Sequence, residues 1–446
     1  MKRQSWFDRA RGLLGGVALG LIVGLVLGAA ATASSRDADA SYRKLRVFSQ
    51  VFNYVENNYV EPVDQEQLVY GAIKGMLGTL DPHTAFLPPS VFQKLKEDTT
   101  GEFGGLGIEL GLKDGWLTII APVADSPAAK AGLKTGDRIV GIESTSTEGM
   151  KIEDAVALLR GAPGTKVAIV IVRGSWDGPR EVVLVRQRLH LNPVEARMLE
   201  PGYGYVRIKS FQERTERNMQ TALDELTRQV RLAGRESLTG LVLDLRDNPG
   251  GLVDEAVRVA DLFLTEGEIV STEGRNKRNV DRQSAHPRGT QPNYPLIALV
   301  NEGSASASEI LAGALQDRRR AVIMGTPTFG KGSVQTIIEL EDGSGLKLTI
   351  ARYFTPNGRS IQEEGIDPDI RVEQGPETEL VDVKTNGAVR ERDLPHHLVS
   401  PTSKPAADSA PALEPADLQL RTALEYLKAA EVFVRGGGSA RDVSKR

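Results

Sequence analysis

Leu241-Val242-Leu243-Asp244-Leu245-Arg246-Asp247-Asn248-Pro249-Gly250-Gly251 reads as a buried strand that runs into a glycine turn and opens a helix. A continuous apolar run closed by turn residues is the texture of a central strand covered by helices on both faces. Working outward, the texture recurs. Residues 204–208, 240–245, 296–300 and 321–324 read as strands, and 215–230, 253–264 and a stretch from about 306 read as helices. This alternation predicts an α/β core with a mostly parallel sheet over residues 187–372.

On the N-terminal side of that core, residues 99–186 carry short β-rich runs (117–120, 138–142, 167–172, 181–185) and one helical piece at 152–159, which predicts a small β-domain. Before it, a helical region spans 41–98. Leu45, Phe48, Phe52, Val55 and Tyr59 share one helical spacing, and Val69, Ile73, Met76 and Leu80 share a second behind an Asp64 cap. Asp81-Pro82 stops the second helix. Residues 373–415, rich in Pro, Ser, Ala, Thr and charge, read as a flexible tether, and 416–446 as a final short helix and tail. The fold class is therefore multidomain, α+β and α/β.

With 446 residues, several compact units are expected at roughly 150 residues each. Lys plus Arg number 55 against 59 for Asp plus Glu, a net charge of −4, and no basic stripe marks a grip on nucleic acid. The chain has no cysteine. Thiol nucleophiles, thiolate zinc sites and disulfides are thereby excluded, no metal or cofactor is expected, and any nucleophile falls to Ser, Thr, Lys or a carboxylate. At the N-terminus, Lys2, Arg3, Arg9 and Arg11 precede an uncharged apolar run over 12–33. Residues 1–35 read as an export signal or anchor: Ala31-Thr32-Ala33 offers a cleavage site, and the run is also long enough to span a bilayer. Either way the rest of the chain is expected outside the cytoplasm, periplasmic or in the cell envelope, with the inner membrane as a partner if the segment is retained.

The candidate chemistry begins at Asn301-Glu302-Gly303-Ser304-Ala305-Ser306-Ala307-Ser308-Glu309, between an apolar strand and a helical run. Small residues at such a turn present a hydroxyl at the carboxyl edge of a sheet, beside the amides of a helix N-terminus. Ser306 is the candidate nucleophile. Ser306-x-x-Glu309 is equally a capping box, and this segment alone leaves both roles open. A second segment, Gly325-Thr326-Pro327-Thr328-Phe329-Gly330-Lys331-Gly332-Ser333-Val334-Gln335, supplies Lys331 among glycines. A serine needs a base, and the five histidines lie in loops, linkers or unrelated segments. Lysine can serve when neutral, yet only about one lysine in 10³ is neutral at pH 7, so the pocket must favour the neutral amine by ~4 kcal/mol. Burial beside apolar groups without a partner carboxylate is the expected means. Gln335 then becomes a neutral orienting group. In an extended strand residues 331 and 335 lie ~13 Å apart, so the chain must bend for the two to meet. Gly250 and Gly251, in the turn quoted first, are expected to aim amides outward.

In the small domain, Gly104-Gly105-Leu106-Gly107-Ile108 converges amides as an anion-binding nest does, or else makes only a tight turn. Together with residues 125–139 (Asp125-Ser126-Pro127 through Gly136-Asp137-Arg138-Ile139) it resembles a PDZ domain. That resemblance implies that the amides of Leu106, Gly107 and Ile108 hold the terminal carboxylate of an extended peptide, with the 152–159 helix as the opposite wall of its groove.

The four motifs together, in order over residues ~41–372, resemble the carboxyl-terminal processing peptidases, exported serine endopeptidases with a PDZ domain. The resemblance implies Ser306 as nucleophile, Lys331 as base and Gln335 as its support. It further implies an oxyanion hole built from the N–H of Ala307 and of Gly250 or Gly251. Protein substrates with accessible C-termini are the implied partners; a second copy of the chain and an adaptor protein are the further partners considered. Gly325 to Lys331 also spells G-x-x-x-x-G-K, nearly a phosphate loop, but Gly332 stands where Ser or Thr should hold Mg²⁺ and a β-branched run comes next where a helix must begin. A PDZ scaffold without activity is the remaining rival, and it has no use for both the serine and the lysine motif.

Overall fold

The computed structural model describes residues 42–113, 115–123, 125–277, 280–374 and 417–437. The export segment read at 1–35, residues 375–415 of the tether and the tail after 437 lie outside them. Among the described residues no helix is long and apolar enough to cross a membrane. The chain divides into two units, residues 1–76 and 77–446.

α1 covers residues 42–58 of the first unit, and α2 spans Gln65–Leu77, its last residue being the first of the second unit. Asp64 Oδ1 accepts the amides of Glu66 and Gln67 at 2.9 and 3.2 Å, satisfying donors that a helix start leaves open. α2 ends before Leu80. The chain turns instead at Asp81, whose Oδ1 accepts the amides of His83 and Thr84 at 2.9 and 2.8 Å.

The second unit opens with β1 (Ala85–Leu87), α3 (Pro89–Thr100) and β2 (Glu102–Gly105). The small domain comes next as β3 (Ile108–Lys113), β4 (Trp116–Pro122), α4 (Pro127–Lys130), β5 (Arg138–Ile142), β6 (Thr145–Ser146), α5 (Ile152–Leu159), β7 (Lys166–Val172) and β8 (Arg180–Val185). Its sheet runs β3-β4-β5-β7-β8, so β3 is an edge strand. Leu117, Ile119, Ile139, Val167, Ile169 and Ile171 are fully buried, alternating inward as a half-buried strand requires. β9 (Gln187–His190), read from sequence as the start of the core, pairs instead with β2.

The core is built from β10 (Val194–Glu200), β11 (Tyr203–Ile208), α6 (Thr215–Leu232), β12 (Gly240–Asp244), α7 (Val253–Asp261), β13 (Glu268–Gly274), β14 (Asp281–Ser284), β15 (Leu296–Val300), α8 (Ala307–Asp317), β16 (Val322–Gly325), β17 (Ser333–Glu339), β18 (Gly345–Phe354) and β19 (Ile370–Arg371). One sheet runs β10-β11-β12-β15-β16-β19, parallel apart from the β10–β11 pair. β12 and β15 are buried throughout, and their residues alternate between two cores. Leu241, Leu243, Ala298 and Val300 pack with Met219, Leu223, Val259, Ile310 and Leu311 of α6, α7 and α8. Val242, Ile297 and Leu299 pack on the other face with Ala423 and Leu427 of the C-terminal helix α9 (Leu418–Gly437), which is docked on the sheet. A second sheet, antiparallel and not foreseen from sequence, runs β1-β18-β13-β14 with β17 also on β18. It takes one strand from the stretch read as purely helical and carries the segment just beyond Lys331.

Candidate active site

β12 and β15 lie side by side and in parallel, so the loops after them emerge together at the carboxyl edge of the sheet. They are tied to each other. Ala305 N–H and Ser308 Oγ–H both donate to Asn248 O, at 3.0 and 2.9 Å, and Ser304 Oγ–H donates to Leu245 O at 2.7 Å. The two flanking serines therefore spend their hydroxyls on the fold. Ser306, between them, sits at φ 56° and ψ −112°, a conformation costing of order 1–3 kcal/mol for a residue with a Cβ. It is 8% exposed, directly before α8. Gly250 explains the tolerance of this geometry: at φ +99°, a Cβ built on it would stand 2.7 Å from Ala305 O and 2.9 Å from Ser306 Cβ, so no side chain fits.

The capping interaction foreseen from sequence is present in its Glu309 half, since Glu309 Oε2 accepts the Ser306 amide at 2.7 Å. The same carboxylate does more. Oε2 also accepts the Lys331 amide at 2.9 Å, and Oε1 accepts the Gly330 amide and the Thr328 hydroxyl at 2.7 and 2.5 Å. Glu309 has no exposed surface, and burial pushes its carboxyl up to about 7 against the pull of those four donors. Sequence reasoning placed Lys331 in a pocket without a carboxylate. The structure adds a buried carboxylate next to that segment: Glu309, engaged with the Lys331 backbone amide. The i, i+3 spacing from Ser306 was the available signal, but a cap satisfies only local amides, and the reach to residues 328–331 depends on tertiary packing.

Lys331 is partly buried, on a segment whose glycines serve close approach. A Cβ on Gly332 would meet Gln362 N at 2.3 Å, and one on Gly330 would meet Glu363 backbone at 3.0 Å. Gly332 N–H donates to Gln362 Oε1 at 3.1 Å. In the β17–β18 ladder Val334 pairs with Ala351 and Gln335 with Thr349, so a β-bulge there puts its extra residue, Ile350, in β18 opposite the Val334–Gln335 step. Gln335 Nε2 donates to Ser333 Oγ at 2.7 Å, to Ser333 O at 3.2 Å and to Thr349 Oγ1 at 3.5 Å. From Ser333 onward the chain is a paired strand, so the phosphate-loop rival lacks the helix N-terminus it needs.

Of the amides named for an oxyanion hole, that of Ala307 opens α8, against the turn where Gly250 lies. The Gly250 amide is engaged, donating to Asn248 Oδ1 at 2.9 Å. Gly251, at φ +136°, bridges to Phe211 and is exposed at the loop surface. Behind this turn lies a charge network that sequence reasoning did not identify. Buried Asp244 accepts from the Arg246 side chain, Nε at 2.9 Å and Nη2 at 2.6 Å, from the Arg246 amide at 3.0 Å and from Tyr205 OH at 2.8 Å. Arg246 also makes a bidentate pair with Asp417, at 2.7 Å on each oxygen, directly ahead of α9. Two ionisable residues interrupting an apolar strand end, Asp244 and Arg246, were the visible sign.

The glycine loop of the small domain lines a groove of about 360 Å³ with Leu106, Gly107, Ile108 and Leu110 on one side and Val156 and Leu159 of α5 on the other. Gly107, at φ +72°, is where a Cβ would fall 2.3 Å from Ser126 Cβ. The carbonyls of Leu106 and Gly107 are committed to the amides of Ala128 and Val123, both at 2.9 Å. The unpaired edge of β3 borders the groove, the arrangement by which PDZ domains add a peptide strand.

Comparison with known proteins agrees with this architecture. The profile of Peptidase family S41 matches residues 202–372, that of a PDZ domain residues 118–173, and that of the N-terminal domain of the activating protease CtpB residues 27–88. The chain is 44% identical over 334 residues to the carboxy-terminal-processing protease of Bartonella bacilliformis, covering 75% of this chain and 76% of the relative. It is 39% identical over 328 residues to the carboxyl-terminal-processing protease of Synechocystis, covering 72% and 75%. Among solved structures, the photosystem II D1 C-terminal processing protease is 37% identical, with a TM-score of 0.43 over 73% of this chain and 86% of the other. At this identity and coverage, the chain belongs to the carboxy-terminal processing proteases, serine-type peptidases of family S41 that carry a PDZ domain.

Proposed function

We propose that this serine peptidase acts outside the cytoplasm, captures the C-terminus of a protein substrate in its PDZ groove, and cleaves an upstream peptide bond with Ser306 as nucleophile and Lys331 as general base. The observation that carries the reading is the single carboxylate of Glu309, which binds the backbone of both residues and so fixes the serine turn against the lysine segment. In the reaction, Ser306 Oγ bonds to the scissile carbonyl carbon while its proton passes to the Lys331 amine. The charge that develops on the carbonyl oxygen meets the Ala307 amide, with Gly251 as the second donor, since the Gly250 amide is held by Asn248. Collapse breaks the C–N bond, the leaving amine takes the proton from Lys331, and water repeats the sequence to free the serine. The amide nitrogen of Gln335 is directed at Ser333 and Thr349, which leaves its carbonyl for the role given it in this reading, support of the lysine.

Export is read from the basic and apolar residues 1–35 alone. The test is cleavage of a poorly folded substrate with a free apolar C-terminus by the wild-type chain and by Ser306→Ala, together with mapping of the residue labelled by a serine-directed acylating probe. Loss of cleavage with label on Ser306 is expected. Label elsewhere, or undiminished turnover by Ser306→Ala, overturns the assignment. Amidating the substrate's C-terminus is expected to weaken its capture; equal capture would remove the carboxylate role of Leu106, Gly107 and Ile108.

A further inference from the structure

The turn that ends the N-terminal helical region is joined to the strand pair that carries Gln335. β1 pairs with β18 through Ala85–Lys347, Phe86–Leu346 and Leu87–Gly345, which brings Asp81 and Thr84 beside Thr349. Thr349 is in turn the cross-strand partner of Gln335. Asp81 and Thr84 are each only 6% exposed. Thr84 Oγ1–H donates to Asp81 Oδ2 at 2.7 Å, Thr349 Oγ1–H donates to Asp81 Oδ1 at 3.2 Å, and the Thr349 amide donates to Thr84 Oγ1 at 3.2 Å.

Each hydroxyl has one proton, and an ionised carboxylate only accepts. Burial opposes ionisation of Asp81, but the Thr84 hydroxyl, the His83 and Thr84 amides and the Thr349 hydroxyl outweigh it and hold the carboxyl below its ordinary range. Lys347 is the cation facing the same carboxylate. With both hydroxyl protons drawn to Asp81, Thr349 Oγ1 offers only lone pairs to its neighbour across the strands. That neighbour is Gln335 Nε2, 3.5 Å away. Ser333 Oγ, at 2.7 Å, and Ser333 O, at 3.2 Å, are further acceptors on the same end of the amide. The polarity of the whole chain, carboxylate to hydroxyl to amide, therefore favours the same end of Gln335 that Ser333 does, the nitrogen toward Thr349 and the carbonyl turned from it.

We propose that Asp81 is a positioning residue for the peptidase reaction: acting through Thr349, it selects the amide orientation in which the Gln335 carbonyl is presented to Lys331. This rests on the assignment of Ser306, Lys331 and Gln335 made above. A turn in the N-terminal region thus reaches the reacting groups without touching substrate.

The test compares Thr349→Val, which keeps the shape and removes the lone pairs, with Thr349→Ser, which keeps them, and adds Asp81→Asn, whose amide can donate to Thr349 and reverse the chain. Steady-state cleavage of one tailed substrate is measured for each variant in the full chain, alone and combined with Gln335→Ala, and thermal melts confirm folding. Thr349→Val is expected to lower kcat roughly three- to tenfold at unchanged KM, the scale of one neutral hydrogen bond, and Thr349→Ser to restore it. In the Gln335→Ala background the Thr349→Val loss is expected to vanish, because the effect travels through that amide. A Thr349→Val enzyme within twofold of wild type, or a loss of equal size in the Gln335→Ala background, would overturn the proposal. Ser306→Ala is run in parallel: if it still cleaves, the assignment beneath is what has failed, whereas an inactive Ser306→Ala with additive Thr349→Val confines the failure to Asp81.

Discussion

The amides of Ser306 and Lys331, 25 residues apart in sequence, donate to one oxygen, Glu309 Oε2, at 2.7 and 2.9 Å. A single buried carboxylate thereby sets the distance between the turn that holds the hydroxyl and the segment that holds the amine. Its other oxygen fixes Gly330 and Thr328, so the lysine segment is gripped at three residues.

Replacing Glu309 by Gln leaves one accepting oxygen and brings in an amide that faces two existing donors. Buried donors without acceptors cost about 1–3 kcal/mol each. We expect Glu309→Gln to fold with a lowered Tm and to lose about a hundredfold in kcat with little change in peptide affinity. A kcat within threefold of wild type would show that the grip on Lys331 does not serve the reaction.

The same carboxyl, pushed up to about 7 by burial, gives a pH signature of two opposite signs. Protonation places a hydrogen where four donors already point, so activity is expected to fall as pH drops through about 7. Stability runs the other way. In the unfolded chain the group titrates near 4.5, so between there and about 7 the native state holds the extra proton, and this group's contribution to stability declines as pH rises, on the order of 3 kcal/mol in all. Melting wild type and Glu309→Gln at pH 5 and 8 checks it: the gap between the two should shrink as pH rises.

Gly332→Ala tests the close approach behind Lys331. Its Cβ would fall 2.3 Å from Gln362 N, and the neighbouring backbone has no flexible end to yield. Loss of cleavage is expected with the groove's peptide affinity unchanged, measured by fluorescence anisotropy of a labelled C-terminal peptide.

Gly107→Val is the reciprocal case. A side chain at φ +72° against Ser126 should abolish capture of that peptide while leaving acylation of Ser306 by a small probe intact. Unaltered capture would sever the glycine loop from substrate recognition.

The C-terminal helix supplies a fifth prediction. Arg246→Met strips Asp244 of its buried cation and undoes the pair with Asp417, and breaking a buried pair costs about 3–5 kcal/mol. Asp417→Ala, at a more exposed carboxylate, should cost only about 1 kcal/mol. Chemical denaturation of the three chains gives the order; equal midpoints would mean that the latch carries no weight.

Much of the architecture was legible because periodicity is local. The strand read at 240–245 is β12 up to Asp244, the 152–159 helix stands where its apolar spacing placed it, and 296–300 is β15. Less legible were features made by partners distant in sequence. β1 is three residues long and pairs with a strand some 260 residues onward, below what alternation can signal. The segments that carry Ser306 and Lys331 could be picked out by their small residues and glycines, whereas the reach of Glu309 to Lys331 and of Asp81 to Thr349 depends on tertiary folding that no spacing encodes. Gly250, read as an open donor, is instead committed to Asn248, because an Asn two residues ahead of a glycine bonds its own turn.

α9 covers the sheet face formed by Tyr203, Tyr205, Val242, Ile297, Leu299 and Met324. During synthesis the last strand of this face, β19, precedes its α9 cover by more than 40 residues, so the apolar plane is complete before that helix is made. Maturation of the peptidase layer is therefore postponed until residues beyond 416 have left the ribosome, and a chain interrupted in the tether would be a sticky intermediate rather than a smaller enzyme.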